Sequence, residues 1–233
     1  MHQIPRIGWT FLIVILTLGL TGCGKGFKDI EEEEEFIPEG QYIAQLKPLN
    51  SRKRSYSGWA KIRLTENQIW VRIHLKGPGI KTFHAQHLHT GEACPNLDED
   101  DANADGYIDI KEGSEKFGSI LVPLDSDISS QMRGISDFPF MRKQGLYFYS
   151  ESASAQKLLR DLRESMTFPE DMMTKLEHSE GLDFDRRTIV IYGIPESDYL
   201  PDTVATYGGH PRQFALPVAC GELKYTNEDM RDP

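Results

Sequence analysis

Basic charge is scarce in this chain. Its 233 residues include 26 lysines and arginines against 36 aspartates and glutamates, a formal charge of −10. Neutralising phosphates requires a basic face, so this balance argues against nucleic acid as the main partner. Apolar residues, at 39%, are few for a globular protein but far too many for a disordered one. Long apolar runs are scarcer still. The longest, residues 7–20 (IGWTFLIVILTLGL), is uncharged and too short to suggest a bilayer span. A polytopic membrane protein of spanning helices is thereby excluded. The length fits one domain, or one domain with insertions, and a chain of this size can bury a core without metals or disulfides.

That short run has the length of a signal-peptide hydrophobic region. Arg6 precedes it, and Leu20-Thr21-Gly22-Cys23 closes it. The tetrapeptide resembles the bacterial lipobox, whose cysteine becomes the lipidated first residue of the mature protein. Residues 1–22 are therefore expected to be a lipoprotein signal peptide, with an uncleaved anchor as the alternative. Cys23 is the expected lipidation site, which places the protein in the bacterial cell envelope, facing the periplasm or the exterior. Residues 23–40 include the run Glu31–Glu35 and read as an acidic, solvated tether. An acidic docking tail is the competing reading.

Three cysteines are present. With Cys23 assigned to lipid, Cys94 and Cys220 form an even pair, suited to one disulfide in an oxidising compartment. Two buried thiols are the alternative. Strand-like runs occur at residues 41–46, 57–64, 68–75, 82–89, 119–124, 146–149, 188–192 and 213–225. In residues 68–75, Ile69, Val71, Ile73 and Leu75 alternate with Gln68, Trp70, Arg72 and His74. Many short strands punctuated by glycine and proline predict an antiparallel sandwich or barrel. Residues 154–166 break the pattern, with Ala155, Leu158, Leu159, Leu162 and Met166 at helical spacing. Thr167 and Pro169 mark a second helix start, expected to run to about His178. Together they predict a helical insert over residues 152–180.

Residues 101–112 match a twelve-residue EF-hand calcium loop. Asp101, Asn103 and Asp105 supply side-chain oxygens at positions 1, 3 and 5. Gly106 permits the turn at position 6, and Tyr107 offers its carbonyl. Asp109 ligates directly or through water, Glu112 closes the shell with two oxygens, and Ile108 is the apolar anchor. Ca²⁺ takes six to eight hard oxygen ligands, and carboxylates this dense repel one another without a cation. The bland alternative is a solvated acidic loop. Cys94-Pro95 sits where an entering helix would start, and Gly113 predicts a short or poor exiting helix. A lone loop suggests a structural site, because sensor EF-hands come in pairs.

Seven histidines are present. His87 and His89 are two apart, so a strand puts both on one face, where they are either metal ligands or a hydrogen-bonded pair. Residues 83–89 (FHAQHLH) resemble the L-H-G-F-H-V-H strand of copper/zinc superoxide dismutases. Residues 218–223 (VACGEL) resemble that family's L-A-C-G-V-I, and residues 188–192 (TIVIY) its R-T-L-V-V-H strand. The resemblance covers about residues 41–225. It implies a mainly β, Greek-key β-sandwich of the superoxide dismutase-like type, carrying a calcium-loop insertion at 98–113 and the helical insert. This domain would occupy residues 41–226, with 227–233 as a C-terminal tail. The resemblance also implies a Cys94–Cys220 bridge and puts His87 and His89 at two copper-ligand positions.

Departures from the family bear on activity. Its last copper histidine aligns with Tyr192, and no histidine lies between His89 and His178. The arginine that guides superoxide is Pro217 here, with Arg212 out of register. The expected function is a lipid-anchored, extracytoplasmic, calcium-binding protein with a binding or envelope role and no dismutase activity, membrane-associated through Cys23. The alternative is a copper-dependent oxidoreductase or copper-binding protein using His87 and His89 with His74 or His210. The charge is uneven as well. Residues 29–39 hold seven acids and no base, and residues 98–112 hold seven acids and one lysine. These blocks total −13, leaving the rest of the chain at +3.

Overall fold

Alternation of apolar and polar side chains sets the strands. The structure, a computed structural model, describes residues 37–50, 55–78, 81–129, 135–142, 145–164 and 173–227. The expected signal peptide, Cys23, most of the acidic tether and residues 228–233 lie outside the described residues. Among those described, no helix is long and apolar enough to cross a membrane.

The protein is mainly β. Strands β1 (Gly40–Pro48), β2 (Ser57–Leu64) and β3 (Gln68–Lys76) follow in sequence, then β4 (Thr82–Phe83) and β5 (Gln86–His89). Helices α1 (Leu97–Asp100) and α2 (Ile110–Phe117) flank the acidic loop. Next come β6 (Ile120–Pro123), β7 (Phe140–Met141), β8 (Leu146–Ser154) and α3 (Ala155–Glu164). The chain finishes with β9 (Thr188–Tyr192), α4 (Arg212–Ala215), β10 (Pro217–Glu222) and β11 (Lys224–Tyr225).

One large antiparallel sheet runs in the order β6-β5-β9-β10-β1-β2-β3-β8, with β11 also paired to β1. It curls at β1. Gly40 to Leu46 pair with β2, whereas Lys47 and Pro48 pair with Cys220 and Ala219 of β10. β1 thus joins a half made of β2, β3 and β8 to a half made of β10, β9, β5 and β6. Inward residues of both halves share one buried cluster, among them Ile62, Val71 and Ile73 from the first and Leu88, Ile189 and Ile191 from the second. Each such side chain contributes about 1.5–3 kcal/mol by leaving water.

The structure corrects four expectations. The 82–89 strand is interrupted at His84 and Ala85, because the β4 end pairs with β7 and the β5 end with β6 and β9. Residues 212–215 are a helical turn, so the last long strand begins at Pro217. β8 continues through Ser154, since every residue from Leu146 to Ser154 finds a partner on β3. The helical insert is therefore smaller than expected. α3 buries Ala155, Leu158, Leu159 and Leu162 on one stripe, as their spacing requires. Residues 165–172 lie outside the described residues, but 173–178 are not helical. Met173 bridges Ile120 in parallel, and the Thr174 N–H donates to the Ile120 carbonyl, covering an edge strand that would otherwise expose unpaired groups.

The disulfide pairs Cys94 with Cys220, 126 residues apart. It ties the approach to the acidic loop to the buried middle of β10.

Candidate functional site

All four residues of β5 are buried. Leu88 faces the main core. His87 and His89 point the other way, into a second cluster that includes Phe117, Phe138, Tyr192, Tyr207 and Phe214. Strand period alone puts the two imidazoles together. Distant elements then close over them: α2 lays the Phe117 ring 4.6 Å from the His89 ring, and Phe138 stands 5.3 Å from His87.

Each imidazole has specific partners. His89 Nδ1 lies 3.1 Å from the Gly118 carbonyl, and its Nε2 lies 2.8 Å from the Tyr192 hydroxyl. A carbonyl only accepts, so the ring proton is on Nδ1 and Nε2 accepts from the phenol. His84 Nδ1 is 2.9 Å from the Tyr192 carbonyl and donates to it on the same logic. His87 Nε2 is 3.1 Å from the Tyr207 hydroxyl. Two ring nitrogens, His84 Nε2 and His87 Nδ1, are buried without a hydrogen-bond partner.

Burial governs the protonation of this cluster. Desolvation lowers His84 and His89 to about 4, partly offset by hydrogen bonding to the backbone of Tyr192 in His84 and of Gly118 and Ser119 in His89. His87 is pushed well below the ordinary histidine value by burial, then by His89 and His210. Tyr192 and Tyr207 are raised by burial, so both phenols stay protonated. At neutral pH the site is uncharged.

The sequence-predicted histidines separate. His87 and His89 are together, their ring centroids 6.1 Å apart, with the Tyr192 ring 5.4 and 6.0 Å from them. His210 stands beside Tyr207 and Phe214, with ring centroids at 5.4 and 5.1 Å. His74 is elsewhere, on the outward face of β3 and stacked on Phe148 at 4.4 Å. Tyr207 and Phe138 carried no local sequence signal, since each reaches the histidines through tertiary contact alone.

In the acidic loop Gly106 adopts φ 85°, a left-handed turn that favours glycine. The Asp101 carboxylate accepts from the Asp105 and Gly106 N–H groups at 3.2 and 2.7 Å. Asn103 accepts from Asp105, and Asp105 accepts from the Tyr107 N–H. Asp109 caps α2 and forms a reciprocal capping box with Glu112. α1 supplies one helical turn before the loop, capped by Asn96. α2, eight residues long, is the short exiting helix.

Position 8 of a solitary loop needs outside partners. Asn50 provides both: its side chain accepts from the Ile108 N–H and donates to the Ile108 carbonyl, each at 2.7 Å. Ile108 itself is fully buried. Thr203 donates to Asp105, and the Ala205 N–H donates to Asp109 at 2.6 Å. The segment that carries Tyr207 to His87 is thus fastened to the acidic loop. Among the described residues no group of three or more His, Cys, Asp or Glu side chains is gathered to hold a metal ion. The loop carboxylates are shared among N–H groups instead. An open cleft of about 570 Å³ lies alongside, lined in part by Tyr56, Tyr107, Tyr199 and Leu200.

Gly113 couples loop and cluster. A Cβ there would fall 2.3 Å from the Phe117 ring, the ring that packs on His89. Gly113→Ala is expected to cost about 1–3 kcal/mol by overpacking, read as a lowered urea midpoint.

No protein-family model and no curated protein matches the chain.

Proposed function

We propose that this is a lipid-anchored, calcium-binding protein of the bacterial cell envelope, with a superoxide dismutase-like Greek-key β-sandwich and a binding role in place of dismutase chemistry. Strand order supports the fold. β3 and β8 lie together in one half, β5 and β6 in the other, so the chain crosses between halves after β3, after β6 and after β8. Such crossings define a Greek key when the halves are stacked. The Cys94–Cys220 bridge supports an oxidising compartment.

The observation that carries the non-catalytic reading is the closure of the histidine cluster. His87, His89 and Tyr192 are wholly buried and Tyr207 nearly so. A dismutase metal needs an open position and a path for superoxide. Here the phenol of Tyr192 sits on His89 Nε2, and burial keeps that phenol neutral. Two imidazoles and two neutral phenols do not match the copper set of the superoxide dismutases that the sequence resembles. One observation favours the copper-binding alternative: His87 Nδ1 is a buried ring nitrogen without a hydrogen-bond partner.

The calcium assignment rests on the donor types, the Gly106 turn, and the placement of Asp109 and Glu112 at the start of α2. Isothermal titration of the purified chain is expected to give one Ca²⁺ per molecule, with Glu112→Gln weakening binding at least tenfold. Metal analysis and a dismutase assay after copper loading test the remainder. Calcium without retained copper or activity supports the proposal. Stoichiometric copper with rapid superoxide consumption, abolished by substituting His87 and His89, overturns it. Absence of calcium binding at millimolar concentration removes the loop's role.

A further inference from the structure

The outward face of β1, β2, β3 and β8 has a composition unlike the rest of the chain. Register places Trp59, His74 and Phe148 in one row across three strands. The His74 ring stacks on Phe148 at 4.4 Å and lies 5.7 Å from Trp59. Phe148 is 72% exposed, and Leu146, two residues before it on the same face, is 43% exposed. The neighbouring rows hold cations. Lys61 pairs across with Arg72, Arg63 with Trp70, and Lys76 borders Leu146. Lys61 Nζ sits 4.6 Å from the centre of the Trp59 ring, and the Arg63 guanidinium 5.4 Å from that of Trp70.

None of the outward positions on these four strands is aspartate or glutamate. The acids of the chain are concentrated in residues 29–39 and 98–112, whereas this four-stranded surface bears five cations (Lys47, Lys61, Arg63, Arg72 and Lys76), two tryptophans and an exposed phenylalanine. Lysine and arginine are each drawn to an anionic bilayer by about 1 kcal/mol. Tryptophan and phenylalanine favour the headgroup level, where an apolar ring can be partly covered. A face combining both fits a negatively charged partner with an apolar interior.

We propose that this face docks the protein onto the surface of an anionic phospholipid bilayer. The inference rests on the envelope location proposed above and gives the anchored domain a fixed orientation, with β2, β3 and β8 toward the headgroups. The histidine cluster and the acidic loop belong to other elements and are not consumed by the contact.

Tryptophan fluorescence tests this directly, because Trp9, Trp59 and Trp70 are the only tryptophans. The purified full chain carrying Trp9→Phe is mixed with vesicles of equal phosphatidylglycerol and phosphatidylcholine, and with pure phosphatidylcholine vesicles. The expected result is a blue shift with the anionic vesicles alone, reversed by high salt. Lys61→Glu with Arg72→Glu should weaken the response about tenfold or more. The milder pair Lys61→Gln and Arg72→Gln should weaken it less, with an unchanged thermal midpoint showing that the fold is intact. Equal responses to both vesicle types, or no loss in either variant, overturns the proposal. So does a response to a soluble polyanion or single-stranded oligonucleotide without one to anionic vesicles. Lipidation is read separately, from the mass of the N-terminal peptide. An acylated Cys23 without headgroup discrimination removes the docking face and leaves the anchor. Discrimination with an unmodified Cys23 removes the anchor and leaves the face.

Discussion

Acidification from pH 6.5 to pH 4 is expected to remove most of the protein's stability while the disulfide stays intact. Three buried histidines have folded values below their unfolded value near 6.5: burial lowers His84 and His89 to about 4, and burial with the neighbouring His89 and His210 holds His87 well below the ordinary value. Between those limits the unfolded chain binds protons that the folded chain refuses. Stability is therefore fully present above pH 6.5 and is lost as pH falls through 4. A shift from 6.5 to about 4 is worth roughly 3 kcal/mol per histidine, and His87 adds to this in the same direction. Against a typical total of about 5–15 kcal/mol, the loss is large. Urea midpoints across this range should give a slope approaching three protons near pH 5 and falling again toward pH 4, and His89→Gln should reduce the slope at pH 5 by about one. A flat profile between pH 6.5 and 4.5 would contradict the buried, neutral cluster.

The second large effect concerns Cys94 and Cys220. Their separation of 126 residues closes a long loop, for which chain entropy predicts a stabilisation of about 4–5 kcal/mol. The double variant Cys94→Ala with Cys220→Ala should melt about 10 °C lower in calorimetry, at the usual 2–4 °C per kcal/mol for a domain of this size. Reductant should lower the wild type equally and leave the variant unmoved. A difference under 1 °C would show that the unfolded chain is not constrained by this link. The effect should also reach the acidic loop, because Cys94 anchors its approach and the Cys94 N–H meets Glu222 on β10.

Much of the sheet was legible because strand period is a local property. Ser57–Leu64 and Thr188–Tyr192 begin and end where their alternation and apolar run do. The same period placed His87 with His89, and it put His74 on the face opposite Ile73. Legibility failed where partners decide. His84 and Ala85 look like strand, but neighbouring strands on either side pull the chain apart there. Residues 173–178 sat in a helical pattern, yet an open edge at β6 offered Met173 and Thr174 better hydrogen bonds. Tyr207 lies 120 residues from His87, and no spacing rule joins them. Asn50 was missed although a clue existed: a solitary loop must find outside partners for its position 8. The basic face was not read from the sequence, because only register brings Lys61 beside Arg72 and Phe148 beside His74.

The position of β1 carries a consequence for timing. Among the described residues it is the first strand, yet its far end is held by β10 and its near end by β11, the last two. A chain emerging N-terminus first can form β2 and β3 early. It cannot close the seam between the halves until residues 217–225 arrive. Contacts this distant in sequence slow folding, because a large loop must be ordered before they reward it. Truncation within β10 should thus leave β1 with an unpaired edge and the whole domain unfinished, so that residues 217–225 are a precondition of the native state.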